Sequence, residues 1–434
     1  MAQIRPFRGV RPQPELAGDC VAPPYDVVSE AEARAIFQRN KRSFIQVTRP
    51  EVNLPEGVDS HSREAYAAGR LALQVLLAEQ VLVREEQPAL YLYGQRMGDH
   101  AQVALMALCS TAEYDAGTIK KHEFTRPDKE QDRVDHILGV QAQTGLVFLA
   151  YRRNEGVAAA LKAAVVEPLF VVSSDDGVEH SLSRIVDPAS IEALQAAFGQ
   201  LSALYIADGH HRSAAASRVA ARRPGSEGFL CGLFPDESLH CMAYNRLVRD
   251  LNGYTASSLR KALAEHFELS ESASPLPAER GTFTMYLEGA WTLLRPLPGV
   301  VDEGDPVARL DVAVLQDRVL APLLGVGDPR RDTRVEFVGG IRGPSFLQQA
   351  VDDKRAAVAF HMFPTGLDQL FAVADADRVM PPKSTWFEPK LAGGLLVNLL
   401  LQEIERFPGV CILTTNHFGT LDKALIRRIQ LPRR

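Results

Sequence analysis

Residues 205–216 read YIADGHHRSAAA: an apolar run, then Asp208, Gly209, His210, His211 and Arg212 in immediate succession, then an alanine-rich run. As strand, tight turn and helix, this stretch puts an acid, a conformationally free glycine, two imidazoles and a guanidinium at one corner. The first N–H groups of a helix lack intrahelical partners and, with the helix dipole, make a seat for an anion. Arg212 adds a fork of donors suited to phosphate or carboxylate. Asp208 would repel that anion unless it holds Mg²⁺ or takes a proton from a hydroxyl. The bland alternative is a capping aspartate with solvated histidines. The density of chemistry favours phosphate handling, with Asp208, His210 and His211 as catalytic candidates and Gly209 and Arg212 as phosphate binders. Zinc is disfavoured, because adjacent helical residues diverge by roughly 100° and the i,i+4 histidine spacing is absent.

A second constellation is IKKHEFTRPDKEQDR, residues 119–133. Nucleotide-dependent transfer needs phosphate donors, a carboxylate for the metal and a base for the acceptor hydroxyl. Lys120, Lys121 and Arg126 are the candidate phosphate cations, Glu123 the catalytic or metal-holding acid beside Asp208, and His122 a substrate contact. After Pro127, a solvated and salt-bridged helix face explains the charges about as well; Asp132 and His136 lie four apart on it. Tyr25 and Asp26, after two prolines, are further substrate-binding candidates. Lys383, Ser384 and Glu388 in PPKSTWFEPK read more simply as turn chemistry.

The elements that must position these groups follow from pattern. Ser29 and Glu32 form a capping box that opens a helix, and Pro127 suits the first position of another. Residues 62–80 and 189–200 are helical. PALYLYGQR, GLVFLAY, PLFVV, FLCGLF, TFTMYLE, WTLLRPL and AAVAFHMF are strands, with GLVFLAY and PLFVV apolar enough to be buried. SFIQVTRPE reads as a short strand, SSLRKALAEHF as a helix, and residues 310–330 as helical. The mixture predicts an α+β (mixed α/β) fold.

With 434 residues, 46% hydrophobic and 24% charged, the chain is an ordinary globular protein of more than one domain. A net charge of -6 argues against a general nucleic-acid binder. Five scattered cysteines without C-x-x-C spacing predict reduced thiols. No apolar signal core opens the sequence and no run of roughly 18 apolar residues occurs, so a cytoplasmic protein without membrane contact is expected. No G-x-x-x-x-G-K-[ST] loop is present, which excludes a P-loop kinase.

RPFRGVRP…VAPPYDVVS, IKKHEFTRPDKEQDR, YIADGHHR, AYNRLVRDL and MPPKSTWFEPKL, in that order, resemble the signature stretches of the DUF1015 family over about residues 1–396. Subdomains at 1–150 and 151–396 are expected. The D-G-H-H-R corner is also similar to that of ParB/sulfiredoxin-like proteins, which include CTP-hydrolysing partition proteins and free-serine kinases. That resemblance implies a nucleotide (ATP, ADP or CTP) at the corner Asp208–Arg212 and phosphoryl transfer to a small hydroxylated metabolite such as serine; Mg²⁺ held by Asp208 and Glu123 is the expectation from their chemistry, not from the resemblance. The alternatives it leaves open are a nucleotide-sensing switch without chemistry, CTPase-like or not, and a small-molecule phosphatase. A homo-oligomer is also open. From about 397 to 434 the sequence resembles the sensor-1 strand and arginine-finger segment of an AAA+ ATPase, with Asn416 and Arg427 or Arg428 at the matching positions. The Walker loops that such residues serve are missing, so this tail is expected to be non-catalytic.

Overall fold

The structure is a computed structural model that describes residues 2–400. Its centre is a nine-stranded mixed sheet in the order Ile119–Lys120, Leu204–Asp208, Val147–Tyr151, Gly228–Pro235, His100–Ser110, Leu90–Met97, Glu179–Ile185, Glu167–Ser173, with Ile4–Arg5 pairing on His100–Ser110. Two of its pairings are parallel: Leu204–Asp208 with Ile119–Lys120, and Gly228–Pro235 with Val147–Tyr151. Both faces are covered. Leu149, Ile206 and Phe229 pack on one side with Val157, Leu194 and Phe198, from helices Glu155–Ala163 and Pro188–Phe198 and the end of the latter. Phe148, Tyr205 and Phe234 join the other core, which they share with Phe283, Phe360 and Phe371.

Phe283 and Phe360 belong to a second layer, a six-stranded antiparallel sheet: Phe267–Glu271, Ala290–Pro296, Phe283–Leu287, Val358–Met362, Tyr244–Val248, Val335–Gly339; Phe371 comes from the helix Leu367–Asp375. A third cluster gathers Phe44, Ile45 and Val47 with Leu73 and Leu76 of the helix Arg63–Ala78.

Most local expectations hold, since they rest on local chemistry. The Ser29–Glu32 capping box is complete, and Pro127 opens the helix Pro127–Val140. Four expectations change. SFIQVTRPE is not a strand but the helical turn Ile45–Thr48 followed by a 3₁₀ turn Pro50–Asn53. The Gln46 amide bonds the Lys41 and Ser43 carbonyls, and Pro50 suits a first helical position, so local bonds override the β-branched pattern. PLFVV is half-exposed because Glu167–Ser173 is the edge strand. The helical region from 310 is shorter than expected, Asp311–Leu315 continued by a π turn Gln316–Leu320. Finally, 150/151 cannot be a subdomain boundary: it falls inside Val147–Tyr151, in the middle of the large sheet, and the sheet changes only after Pro235. The main body reaches Leu399, with Val397 bridged to Val10 and Asn398–Leu399 paired to Ala142–Gln143. Asn416, Arg427, Arg428 and Cys411 lie outside the described residues.

Candidate active site

Strand Leu204–Asp208 ends on the acid, and Gly209 turns the chain into the helix His210–Arg222 with φ 100° and ψ 27°. A Cβ at Gly209 would lie 3.3 Å from Val147 Cα and 3.2 Å from Arg212 Nε, so glycine is required for both conformation and space.

The corner residues do not act as a loose set. Asp208 Oδ1 faces the Arg212 guanidinium at 3.5 Å, and Oδ2 faces the Lys390 ammonium at 3.4 Å. Burial works against the carboxylate's charge, but Lys390 first and Arg212 next outweigh it and hold the carboxyl well below its ordinary value. Arg212 also donates to the Leu146 carbonyl. It therefore braces Asp208 and the neighbouring strand, which is a different task from the free anion fork that its sequence position suggests.

The two imidazoles hold the 121–126 segment against the helix. The His122 amide donates to His210 Nε2 at 3.4 Å, and the Arg126 amide donates to His211 Nε2 at 3.0 Å. Both rings accept at Nε2, so each is the neutral Nδ1–H form, in line with burial lowering both pKa values. His210 Nδ1 then stands 3.7 Å from Glu123 Oε2. His122 meets His210 edge-on, with centroids 4.5 Å apart, and burial pushes it down to about 4. Its Nδ1 is buried without a hydrogen-bond partner.

Two cavities open on this corner. The smaller, about 350 Å³, is lined by Asp208, His122, Glu123, Lys383, Lys390 and Trp386 among others. The larger, about 800 Å³, is bordered by Arg49, Arg126, Lys129, Arg133, Arg330 and Arg331, with His211 and Tyr25. Asp26, Glu123 and Lys383 line both. The Arg133 guanidinium lies over the Tyr25 ring at 4.3 Å. Burial raises the Glu123 pKa above that of an ordinary glutamate, with Lys383 opposing the shift. Lys383 stays firmly cationic: burial opposes its charge, but Tyr244 and Glu123 favour it more.

Of the residues singled out from sequence, Asp208, Gly209, His210, His211, Arg212, His122, Glu123, Arg126, Tyr25 and Asp26 come together here. Lys120 and Lys121 do not. Lys120 points to Asp375 and Asp377, at 3.5 and 3.9 Å, and Lys121 lies over the Tyr114 ring at 4.1 Å. Asp132 and His136 are not a pair either: Asp132 accepts from Tyr66 and Arg133, while His136 Nε2 lies 3.1 Å from the Val47 carbonyl. Ser384 and Glu388 do serve the turn, through Pro381 and through Trp386 and Lys390. Lys383, by contrast, belongs to the site. Lys390, Arg49 and Arg133 were not singled out; the one available signal was a second lysine in KSTWFEPKL.

Mg²⁺ is tested by the donors themselves. Among the described residues no group of three or more His, Cys, Asp or Glu side chains could hold a metal ion. Asp208 and Glu123 nonetheless line one cavity, and one or two carboxylates with phosphate oxygens are the usual Mg²⁺ set. The donors fit an ion that arrives with a nucleotide better than a resident one.

A mixed α+β body with a cation-bordered cleft over a strand–glycine–helix corner defines the class. The chain belongs to the family described as "Protein of unknown function (DUF1015)", whose model matches residues 4–313. No curated protein matches it. Among solved structures, SbnI with C-terminal truncation from Staphylococcus aureus is 13% identical over 69% of this chain and 90% of that one, with a TM-score of 0.38. A free serine kinase mutant in complex with ADP is 12% identical over 66% and 89%, with a TM-score of 0.34. A conserved hypothetical protein from Pyrococcus furiosus is 14% identical over 68% and 95%, with a TM-score of 0.35. No helix among the described residues is long and apolar enough to cross a membrane.

Proposed function

We propose that this cleft binds a nucleotide and transfers a phosphoryl group to a small hydroxylated metabolite such as serine. The observation that carries the reading is the pair of adjoining cavities that share Asp26, Glu123 and Lys383 in their walls. The larger is bordered by arginines and suits a polyanion; the smaller holds acids and lysines over the corner and suits a compact polar acceptor.

Phosphoryl transfer asks the protein mainly for position and charge stabilisation. Lys383, exposed on the shared wall, neutralises the migrating group. Glu123 accepts the acceptor's hydroxyl proton as the new oxygen–phosphorus bond forms and the bond to the leaving phosphate oxygen breaks. Its raised pKa makes it a better base than an ordinary glutamate. Asp208, kept ionised, orients the acceptor, and Tyr25 and Asp26 line the entrance. Gly209 and the helix start bring backbone N–H groups beside this acid, while His210 and His211 keep Glu123 and Arg126 in place. Bound Mg²⁺, held by Asp208 and the phosphate oxygens, would offset phosphate charge and leave Glu123 free as the base.

The test is incubation with ATP, ADP or CTP plus serine, with product followed by mass spectrometry. A phosphorylated acceptor supports transfer. Nucleotide retained without turnover, or hydrolysed without an acceptor, replaces it with a sensing switch; phosphate loss from phosphoserine without nucleotide replaces it with a phosphatase.

A further inference from the structure

We propose that a separate crevice beside the hairpin of Phe283–Leu287 and Ala290–Pro296 binds the carboxylate of a small organic acid with an apolar body. This cavity, about 620 Å³, shares no lining residue with the two cavities of the cleft.

Three arginines line it, and two are already matched. Arg280 makes two bonds to Asp368, at 2.8 and 3.0 Å, and Arg295 donates to Glu279 at 2.5 Å. Arg309 is different. It has no ion pair among the described residues, and its Nε is buried without an acceptor. A guanidinium that lines a cavity and has no protein carboxylate to pair with can take the carboxylate of a ligand. Gln369, 5% exposed, supplies a second donor. Its Oε1 accepts the Gly366 amide at 3.0 Å, and its NH₂ has no partner among the described residues.

The charge count selects the anion. Glu303 and Asp311 also line the crevice, and Asp311 takes the Gly281 N–H with both oxygens, at 3.1 and 3.2 Å. Glu303 is solvent-exposed and therefore screened, and Asp311 is met by the Gly281 N–H, so Arg309 is left to take one negative charge, whereas a dianionic phosphate would meet more repulsion than one guanidinium offsets. The remaining wall is apolar: Phe283, Pro296, Leu297, Pro298 and Val301. Such a wall, with a few placed donors, is the ordinary form of a small-molecule pocket.

The full chain should be titrated by calorimetry with hexanoate, 3-phenylpropionate, hexan-1-ol and inorganic phosphate. The two acids are expected to bind, and hexan-1-ol and phosphate not. Arg309→Met should weaken the acids tenfold or more with an unchanged melting temperature, and Arg309→Lys should restore part of the loss. Gln369→Leu should weaken them less, and Arg309→Met remains decisive if that variant unfolds. The proposal is overturned if neither acid binds, if Arg309→Met binds them equally, if the alcohol or phosphate binds as well, or if ATP displaces them.

Discussion

The Lys390 ammonium stands 3.4 Å from Asp208 Oδ2, across 182 residues of chain. With Arg212 on the other oxygen, it holds the Asp208 carboxyl well below its ordinary value. A depressed carboxyl pKa contributes stability that is present above the unfolded value, roughly 4, and lost as pH falls through the folded one. Asp208→Asn should therefore lower the urea midpoint at pH 7, by only somewhat less at pH 3, and by progressively less as pH falls further toward the strongly depressed folded value. A loss that stays constant across that whole range would show that the charge pairing is not what holds the corner.

Glu123→Gln separates binding from chemistry. Removing a general base typically costs 10²–10⁴-fold in rate. The expected result is at least a ~10²-fold drop in turnover with nucleotide affinity nearly unchanged. In the parent, turnover should rise with pH through a midpoint above the usual glutamate range, because burial raises this carboxyl. A variant that turns over normally would remove Glu123 from the mechanism.

His122 makes folding sensitive to mild acid. Burial lowers its pKa to about 4, so below roughly 6.5 the unfolded chain binds a proton that the folded chain refuses. Its contribution is whole above that value and is lost as pH falls toward 4, amounting to about 3 kcal/mol. Denaturant melts from pH 7.5 to 4 should show a shallower slope for His122→Gln than for the parent. Parallel slopes would assign the acid sensitivity elsewhere.

Gly209→Ala should destabilise by about 1–3 kcal/mol, because φ is 100° and the new methyl would sit 3.3 Å from Val147 Cα. Thermal or chemical denaturation reads this directly. A melting temperature equal to the parent's would contradict the turn geometry.

The corner itself was legible in YIADGHHR. An apolar run, a glycine and an alanine-rich run leave little choice but strand, turn and helix, and the types of side chain follow. The partners were less legible. Lys120 and Lys121 sit close in sequence to Glu123 yet are drawn to partners far along the chain or outside the cleft, Lys120 to Asp375 and Asp377 and Lys121 to the face of the Tyr114 ring. Arg212 looked free and is engaged with Asp208 and Leu146.

The sequence alone determined what nearest neighbours decide: the Ser29–Glu32 capping box, the Pro127 helix start, and the strand, tight glycine turn and helix around Gly209. These rest on sterics and on bonds spanning a few residues. Only the tertiary structure decided that Lys390 meets Asp208, that two histidines clasp the 121–126 segment, and that Glu123 and Lys383 share a wall between two cavities. Contacts of that kind depend on how distant strands and turns pack, and spacing along the chain does not encode them.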